Sequence, residues 1–339
     1  MFLGTSPLRI SFAGGGTDMP EYYESYGGCV VTTAITRFVY VFINQSHDNT
    51  FQTFSSDFKS HHRSESYELL EPKYGSEIAT SVIKYLHYQK GLNVLICSDA
   101  PPGSGLGASG SLAVNLVKSI STLQGKKLSL EEIAQKSYDI GRNVLNWPIG
   151  KQDEYATTYG GLNFIQFDKS KTTVESIQIS KSSLDELQKN LLLFFVGKTR
   201  NSATILSTQI QQTATKTTKT ISALHSVKEL AQNTFESLKN NDLTHFGELL
   251  HKGWLAKKQF ASGVSNEFID KIYDVSLKSG ALGGKLTGAG GGGHLILYCD
   301  ESNQQKVQSE LEKHGLSRVK FSFENKGPKL INLYDFAKT

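Results

Sequence analysis

From Pro101 to Ser111 the chain reads Pro-Pro-Gly-Ser-Gly-Leu-Gly-Ala-Ser-Gly-Ser, with four glycines in the eight positions Gly103 to Gly110. A short apolar run, Leu92 to Cys97, precedes this stretch. Leu112, Leu116, Val117, Ile120 and Leu123 follow at helical spacing, ended by Gly125. Strand, glycine loop and helix together make an anion seat. The helix start presents unpaired N–H groups and partial positive charge, and glycines let several N–H groups converge without Cβ clashes. The chemistry this suits is phosphate binding, with Ser109 and Ser111 adding hydroxyls. Two other phosphate signatures fit less well. Gly197-Lys198-Thr199 ends like a Walker A loop, but the glycine that pattern requires falls at Leu192. Gly105-x-Gly107-x-x-Gly110 matches a dinucleotide fingerprint. The acids at the following spacing, Glu131 and Glu132, belong instead to a capping box that opens on Ser129.

The elements around this loop alternate. Leu8, Ile10 and Phe12 share one face of a strand and Arg9 and Ser11 the other; the strand runs into Gly14-Gly15-Gly16. Cys29–Ile35 and Phe38–Ile43 read as two further strands, and 161–180 as two more. Glu77–Tyr88, 221–238 and 246–254 carry helical spacing. His294–Cys299 reads as a buried strand, Val307–His314 as a helix and Arg318–Phe323 as a last strand. A boundary near residue 187 gives two domains, 1–186 and 187–339. The length of 339 residues fits two. The net charge of +4 is too weak to argue for nucleic acid or an anionic membrane. The longest wholly apolar run, Leu191 to Val196, is far short of the roughly 20 residues of a membrane helix. Cys29, Cys97 and Cys299 form no framework, so a reduced cytoplasm is expected.

Pro102-x-x-x-Gly-Leu-Gly-x-Ser109 resembles the central phosphate loop of the GHMP small-molecule kinases. Two more of that family's motifs occur in order: Pro7-Leu-Arg-Ile-Ser-Phe-Ala-Gly-Gly-Gly-Thr-Asp18 and Lys285-Leu-Thr-Gly-Ala-Gly-Gly-Gly-Gly293. The resemblance spans essentially the whole chain. It implies an α+β, two-domain fold, with an N-terminal α/β domain like one in a ribosomal protein and a C-terminal ferredoxin-like domain. ATP and Mg²⁺ would bind between them. Pro102, Gly103, Ser104, Gly105, Leu106, Gly107, Ala108 and Ser109 would then cradle the nucleotide. Ser109 aligns with the family's Mg²⁺-ligating serine and is read as a metal ligand ahead of the helix N-cap that a serine could also hold here. Gly150-Lys-Gln-Asp153 resembles the family's Gly-x-x-Asp segment, making Asp153 the candidate base, with Arg9 beside it. Gly15, Gly16, Thr17 and Asp18 would meet the substrate, although Asp18 could simply hold an Asx turn. Gly288 and Gly290 would close the third loop over triphosphate or substrate.

The triple glycine followed by Thr-Asp-x-Pro is similar to the subgroup that phosphorylates D-glycero-D-manno-heptose 7-phosphate. Galactokinase- and fucokinase-like activities, and a catalytically weak sugar or nucleotide sensor, are the alternatives. A phosphosugar needs cations, for which Lys151 and Arg200 are the candidates, either of which could be a surface charge. Neither a nucleic acid nor a membrane partner is expected, and a homodimer is left open. The chain departs from the family where a metal-binding glutamate usually stands. That position is Gly141, followed by Arg142; the nearby Asp139 and Glu154 lie off the expected spacing. Ala108 and Gly110 also replace residues that are commonly serine and alanine. The metal is then left to Ser109, water and nucleotide.

Overall fold

The computed structural model describes residues 1–197, 202–215, 218–260 and 263–336. The first part of the chain runs β1 (Phe2–Ala13), α1 (Pro20–Tyr26), β2 (Gly28–Gln45), β3 (Phe51–Ser55), β4 (Ser60–Ser64), α2 (Glu77–Tyr85) and β5 (Leu92–Ser98). It continues through α3 (Ala108–Leu123), α4 (Leu130–Asp139), a π-helical turn (Ile140–Val144), α5 (Gln152–Tyr159), β6 (Leu162–Phe167) and β7 (Thr172–Ser176). The second part holds α6 (Lys181–Asn190), β8 (Leu191–Gly197), α7 (Ser202–Ala214), α8 (Thr218–Lys239), α9 (Leu243–Lys257) and α10 (Glu267–Lys278). After these come β9 (Gly283–Leu286), β10 (Gly293–Tyr298), α11 (Glu301–Lys313), β11 (Ser317–Val319), β12 (Lys329–Asn332) and α12 (Leu333–Phe336).

One sheet is ordered β12-β1-β2-β5-β3-β4; β6 joins it along β2, and β7 pairs with β6. Its spine is β2, a single strand where the sequence suggests two. The near half pairs with β6 and the far half with β5, so the strand serves two partners along its length. Pro7 marks the change. It sits opposite Phe38, while the next residue, Leu8, sits opposite Ile35, so Thr36 and Arg37 bulge out of the β1 ladder. The bulge is filled by the returning end of the chain: Thr36 N–H donates to Ser322 O at 2.8 Å and the Arg37 guanidinium to Lys320 O. The polar stretch 45–75 contributes β3 and β4, with β3 parallel to β5.

The second sheet is ordered β11-β8-β10-β9, all antiparallel. Numbered within the unit that is 4-1-3-2, the ferredoxin-like arrangement, with α7 to α10 in one crossover and α11 in the other. Phe246 of α9 joins the two layers. Its ring meets Phe12 of β1 edge-on at 5.2 Å and Tyr298 of β10 at 5.6 Å. Among the described residues no helix is long and apolar enough to cross a membrane.

The division at 187 falls inside α6, and the chain does not divide in one place. Strand β12 leaves the second unit and pairs with β1, Phe2 opposite Asn332 through Thr5 opposite Lys329. The expected last strand, Arg318–Phe323, is only Ser317–Val319, because the chain turns back toward β2 after it.

Helix α4, which carries one wall of the cleft described below, opens on a complete capping box. Ser129 accepts from Glu132 N–H, and the Glu132 carboxylate accepts from Ser129 N–H. Ser129→Ala is expected to cost about 1 kcal/mol of stability in chemical denaturation and to leave ligand binding intact.

Candidate active site

A cleft of about 320 Å³ lies where β1, the α3 loop, α5 and the β9–β10 loop meet. Arg9 reaches it from β1. The residue is 3% exposed, so its charge must be met inside the protein. Its Nε and Nη2 contact Asp153 Oδ1 at 2.8 and 2.7 Å, and Nη1 donates to Gly105 O. The glycine loop wraps this side chain. Gly107 has φ +76°, and a Cβ there would stand 3.1 Å from Arg9 Cγ.

Gly107 is also the cap residue of α3, which places Ser109 in the first turn rather than at the cap. Ser109 is exposed and lines the cleft with Gly103, Ser104, Gly105, Gly107 and Ala108. Pro102 and Leu106 do not: Pro102 is outside the lining, and Leu106 is a core residue whose carbonyl accepts from Arg9 N–H. Ser111 is not at the mouth either. It is fully buried and bonded to Ser6.

Asp18 is held from both sides. Gly16 N–H donates to Oδ1 at 2.8 Å and Gln152 N–H to Oδ2 at 3.2 Å. The Asx-type contact and the cleft position therefore coexist. Burial raises the Asp18 carboxyl, the Gly16 bond opposes this, and the Asp153 charge adds to the rise. Gly15 and Gly16 line the cleft, whereas Thr17 is a buried clamp: its one hydroxyl proton is within reach of both Gly14 O and Cys29 O, and its oxygen accepts from Cys29 N–H.

Helix α5 brings three polar residues in sequence. Gln152 accepts from Ser11 Oγ at 2.6 Å. Among the described residues the bonds to Asp153 fall on Oδ1, which leaves Oδ2 for a donor from the cleft. Glu154 is 3% exposed and lines the cleft, and among the described residues its Oε2 has no partner. Burial first, and then the Asp153 charge, push its carboxyl well above the ordinary range. Ser104 Oγ and Gln209 Nε2 are likewise buried, unpartnered and part of the lining. Three unsatisfied polar atoms converging on one cavity indicate a polar ligand.

The third loop packs directly on the phosphate loop. A Cβ on Gly105 would lie 2.5 Å from Thr287 O, one on Gly288 2.6 Å from Gly105 Cα, and one on Gly293 2.4 Å from Ser104 O. His294 Nδ1 adds a 2.8 Å contact with Ser104 O. Thr287, Gly288 and Ala289 line the cleft; Gly290 instead packs on Val264.

Lys151 does not reach the cleft. Its Nζ lies 5.5–5.9 Å from the ring centres of Tyr138, Tyr23 and Tyr155, within a cage of aromatic faces. Arg200 lies outside the described residues. Besides Arg9, a cation that lines the cleft is Lys257 of α9, which the sequence reading missed. It donates to Gly288 O, and burial together with the Arg9 charge lowers its amine to about 8. Lys285 is buried close by, and burial and the Lys257 charge hold its amine well below the usual lysine range. Gln209 was missed as well; nothing in its local sequence marks it. The other wall is apolar: Ile78, Ala113, Ile140, Leu145, Trp147 and Ile149. Gly141 belongs to that wall, and a Cβ there would lie 2.5 Å from Ile149 Cδ1. Asp139 is taken up by Gln135 and Asn143.

Two outcomes follow from this geometry. In Gly150→Ala the new Cβ would fall 2.1 Å from Asp18 Oδ2 and 2.8 Å from Asp18 O, so a backbone atom as well as a side chain must shift. A loss of about 1–3 kcal/mol is expected in denaturant titration. For Glu154 the raised carboxyl means that the folded chain keeps its proton where the unfolded chain has released it. Its contribution is therefore complete below the ordinary carboxylate pKa and is lost as pH rises toward the folded value. Thermal melts of metal-free protein should show Glu154→Gln with a shallower decline across that range than the parent.

Two family models match the chain: GHMP kinases N terminal domain over residues 73–161 and GHMP kinases C terminal over 234–316. The D-glycero-alpha-D-manno-heptose 7-phosphate kinase of Campylobacter jejuni subsp. jejuni is 31% identical over 96% of this chain and 97% of its own. The bifunctional fucokinase/GDP-fucose pyrophosphorylase of Arabidopsis thaliana is 26% identical over 93% of this chain and 31% of its own. The crystal structure of a D-glycero-D-manno-heptose 1-phosphate kinase from Bacteriodes thetaiotaomicron superposes with a TM-score of 0.81 at 26% identity, covering 98% of this chain and all of that one. With the three glycine loops, the buried Arg9 and Asp153 gathered at one cleft, these likenesses identify the chain as an ATP-dependent phosphotransferase that belongs to the GHMP kinases.

Proposed function

We propose that this kinase transfers the γ-phosphoryl group of ATP to the anomeric C1 hydroxyl of D-glycero-D-manno-heptose 7-phosphate. The products are the 1,7-bisphosphate and ADP, on a route to activated heptose for surface polysaccharide. The observation that carries the reading is the Arg9–Asp153 pair, set between the phosphate loop and Asp18. The likeness to the Campylobacter enzyme over nearly the full length of both chains supports the choice of sugar.

Each residue then has a defined task. The backbone from Gly103 to Ser109 holds the triphosphate at the start of α3. Asp18 accepts hydroxyls of the sugar, and Gln209 Nε2 supplies a donor on the facing side. Asp153 Oδ2 accepts the proton of the C1 hydroxyl as its oxygen bonds to the γ-phosphorus and the bond to the ADP oxygen breaks. Arg9, paired with Asp153 Oδ1, fixes the carboxylate in place before the step and balances the charge on the transferring group during it. The Ser109 hydroxyl would help hold Mg²⁺, which it fits by donor type and position in the cleft; the ion would supply charge neutralisation to the nucleotide phosphates. Lys257 replaces Lys151 as the cation for the substrate phosphate, and Arg200 remains a second candidate.

The test is ADP release across a panel of phosphorylated and free sugars, with the product identified by NMR. Heptose 7-phosphate should be turned over fastest and carry its new phosphate at C1. A faster free hexose would overturn the choice of substrate. Asp153→Asn should lower kcat by about 10²–10⁴-fold with little change in KM. Full turnover in that variant would remove Asp153 as the base.

A further inference from the structure

The mechanism above leaves Glu154 without a task, although it is the most conspicuous side chain in the cleft. It is 3% exposed, it lines the cavity, and Oε2 has no partner among the described residues. Its Oε1 comes within 3.2 Å of where a Cβ of Gly110 would be. Glu154 thus lies against the first turn of α3, in the same cavity as Ser109. The missing side chain at position 110 provides the room: a Cβ there would also stand 2.9 Å from Asp153 Cβ. Position 141 offers no carboxylate, because Ile149 occupies the space beside it.

From this arrangement we infer that Glu154 is a direct ligand of a divalent cation that enters the cleft with the nucleotide, sharing it with the Ser109 hydroxyl. A carboxylate isolated from water beside a second carboxylate is costly unless a cation meets it. Arg9 does not meet it, since the Arg9 bonds go to Asp153 and Gly105. Among the described residues no three His, Cys, Asp or Glu side chains form a metal cage. The protein alone therefore supplies too few ligands. Magnesium suits such a place, because it is commonly held by one or two carboxylates with the remaining positions filled by phosphate oxygens and water. Binding is accordingly expected to be weak without nucleotide and strong with it. This inference rests on the proposed function only in placing a nucleotide at the glycine loop; it does not depend on which sugar is phosphorylated.

The test uses the full chain with Mn²⁺ as the probe, titrated by electron paramagnetic resonance with and without saturating ADP. The parent should bind Mn²⁺ much more tightly with ADP. Glu154→Gln, which keeps shape and removes charge, should weaken Mn²⁺ binding about 10–100-fold in the presence of ADP. ADP binding measured in EDTA should be unchanged, and Glu154→Asp should recover part of the loss. Parent-like Mn²⁺ affinity in Glu154→Gln would overturn the assignment. If that variant does not fold, parent crystals soaked with MnCl₂ and ADP decide the question. An anomalous peak roughly 2.1 Å from a Glu154 oxygen is expected, and a peak beyond coordination distance of that carboxylate overturns it. The two readings fail separately. Loss of Mn²⁺ affinity without turnover of any sugar would strike the substrate alone, and normal Mn²⁺ affinity with rapid heptose phosphorylation would strike Glu154 alone.

Discussion

A buried guanidinium organises this cleft. Arg9 sits on the central sheet with almost no access to water, so its donors must be met by the protein. Two segments far apart in sequence supply the acceptors: the Gly105 carbonyl of the phosphate loop and the Asp153 carboxylate of α5. Satisfying Arg9 therefore sets the curvature of the loop and the position of α5 together. The glycines of the loop are what make this possible, since Gly107 passes over the Arg9 stem at a distance that leaves little space for a side chain. Among the described residues the bonds to Asp153 fall on Oδ1, so the other oxygen faces the cleft without a donor.

A second constraint joins the two units. The phosphate loop belongs to the first and the Gly288–Gly293 loop to the second, yet they meet main chain to main chain. Contacts at Gly105, Gly288 and Gly293 are too close for any side chain to intervene. Lys257 strengthens the junction by donating to Gly288 O from α9. One side of the cleft is thus built from both units, where the Gly103–Gly107 and Gly288–Gly293 loops meet.

Much of this was legible in the sequence, for a physical reason. Positive φ and close backbone approach nearly demand glycine, so Gly14–Gly16, Gly103–Gly107 and Gly288–Gly293 leave a local trace. Arg9 shows itself as the polar member of an alternating strand. The rest depends on distant partners. Glu154, Gln209 and Lys257 are ordinary helix residues by type, and only folding puts them at one cavity. Lys151 misleads for the same reason: Tyr23, Tyr138 and Tyr155, which draw it away, are scattered along the chain. Strand β2 was divided in two because its bulge at Thr36 and Arg37 looks like a turn until the far end of the chain is seen to fill it. The return of β12 had no local signal, as its four residues acquire meaning only beside β1.

That return makes the second unit an insertion within the first. The backbone crosses between them twice, around α6 and again after β11, and the crossings are stitched together where Phe323 N–H donates to Gln188 Oε1 at 2.7 Å. The two units are therefore joined by a pair of neighbouring connections rather than by one linker, and one edge of the first unit's sheet is supplied by both extremes of the chain.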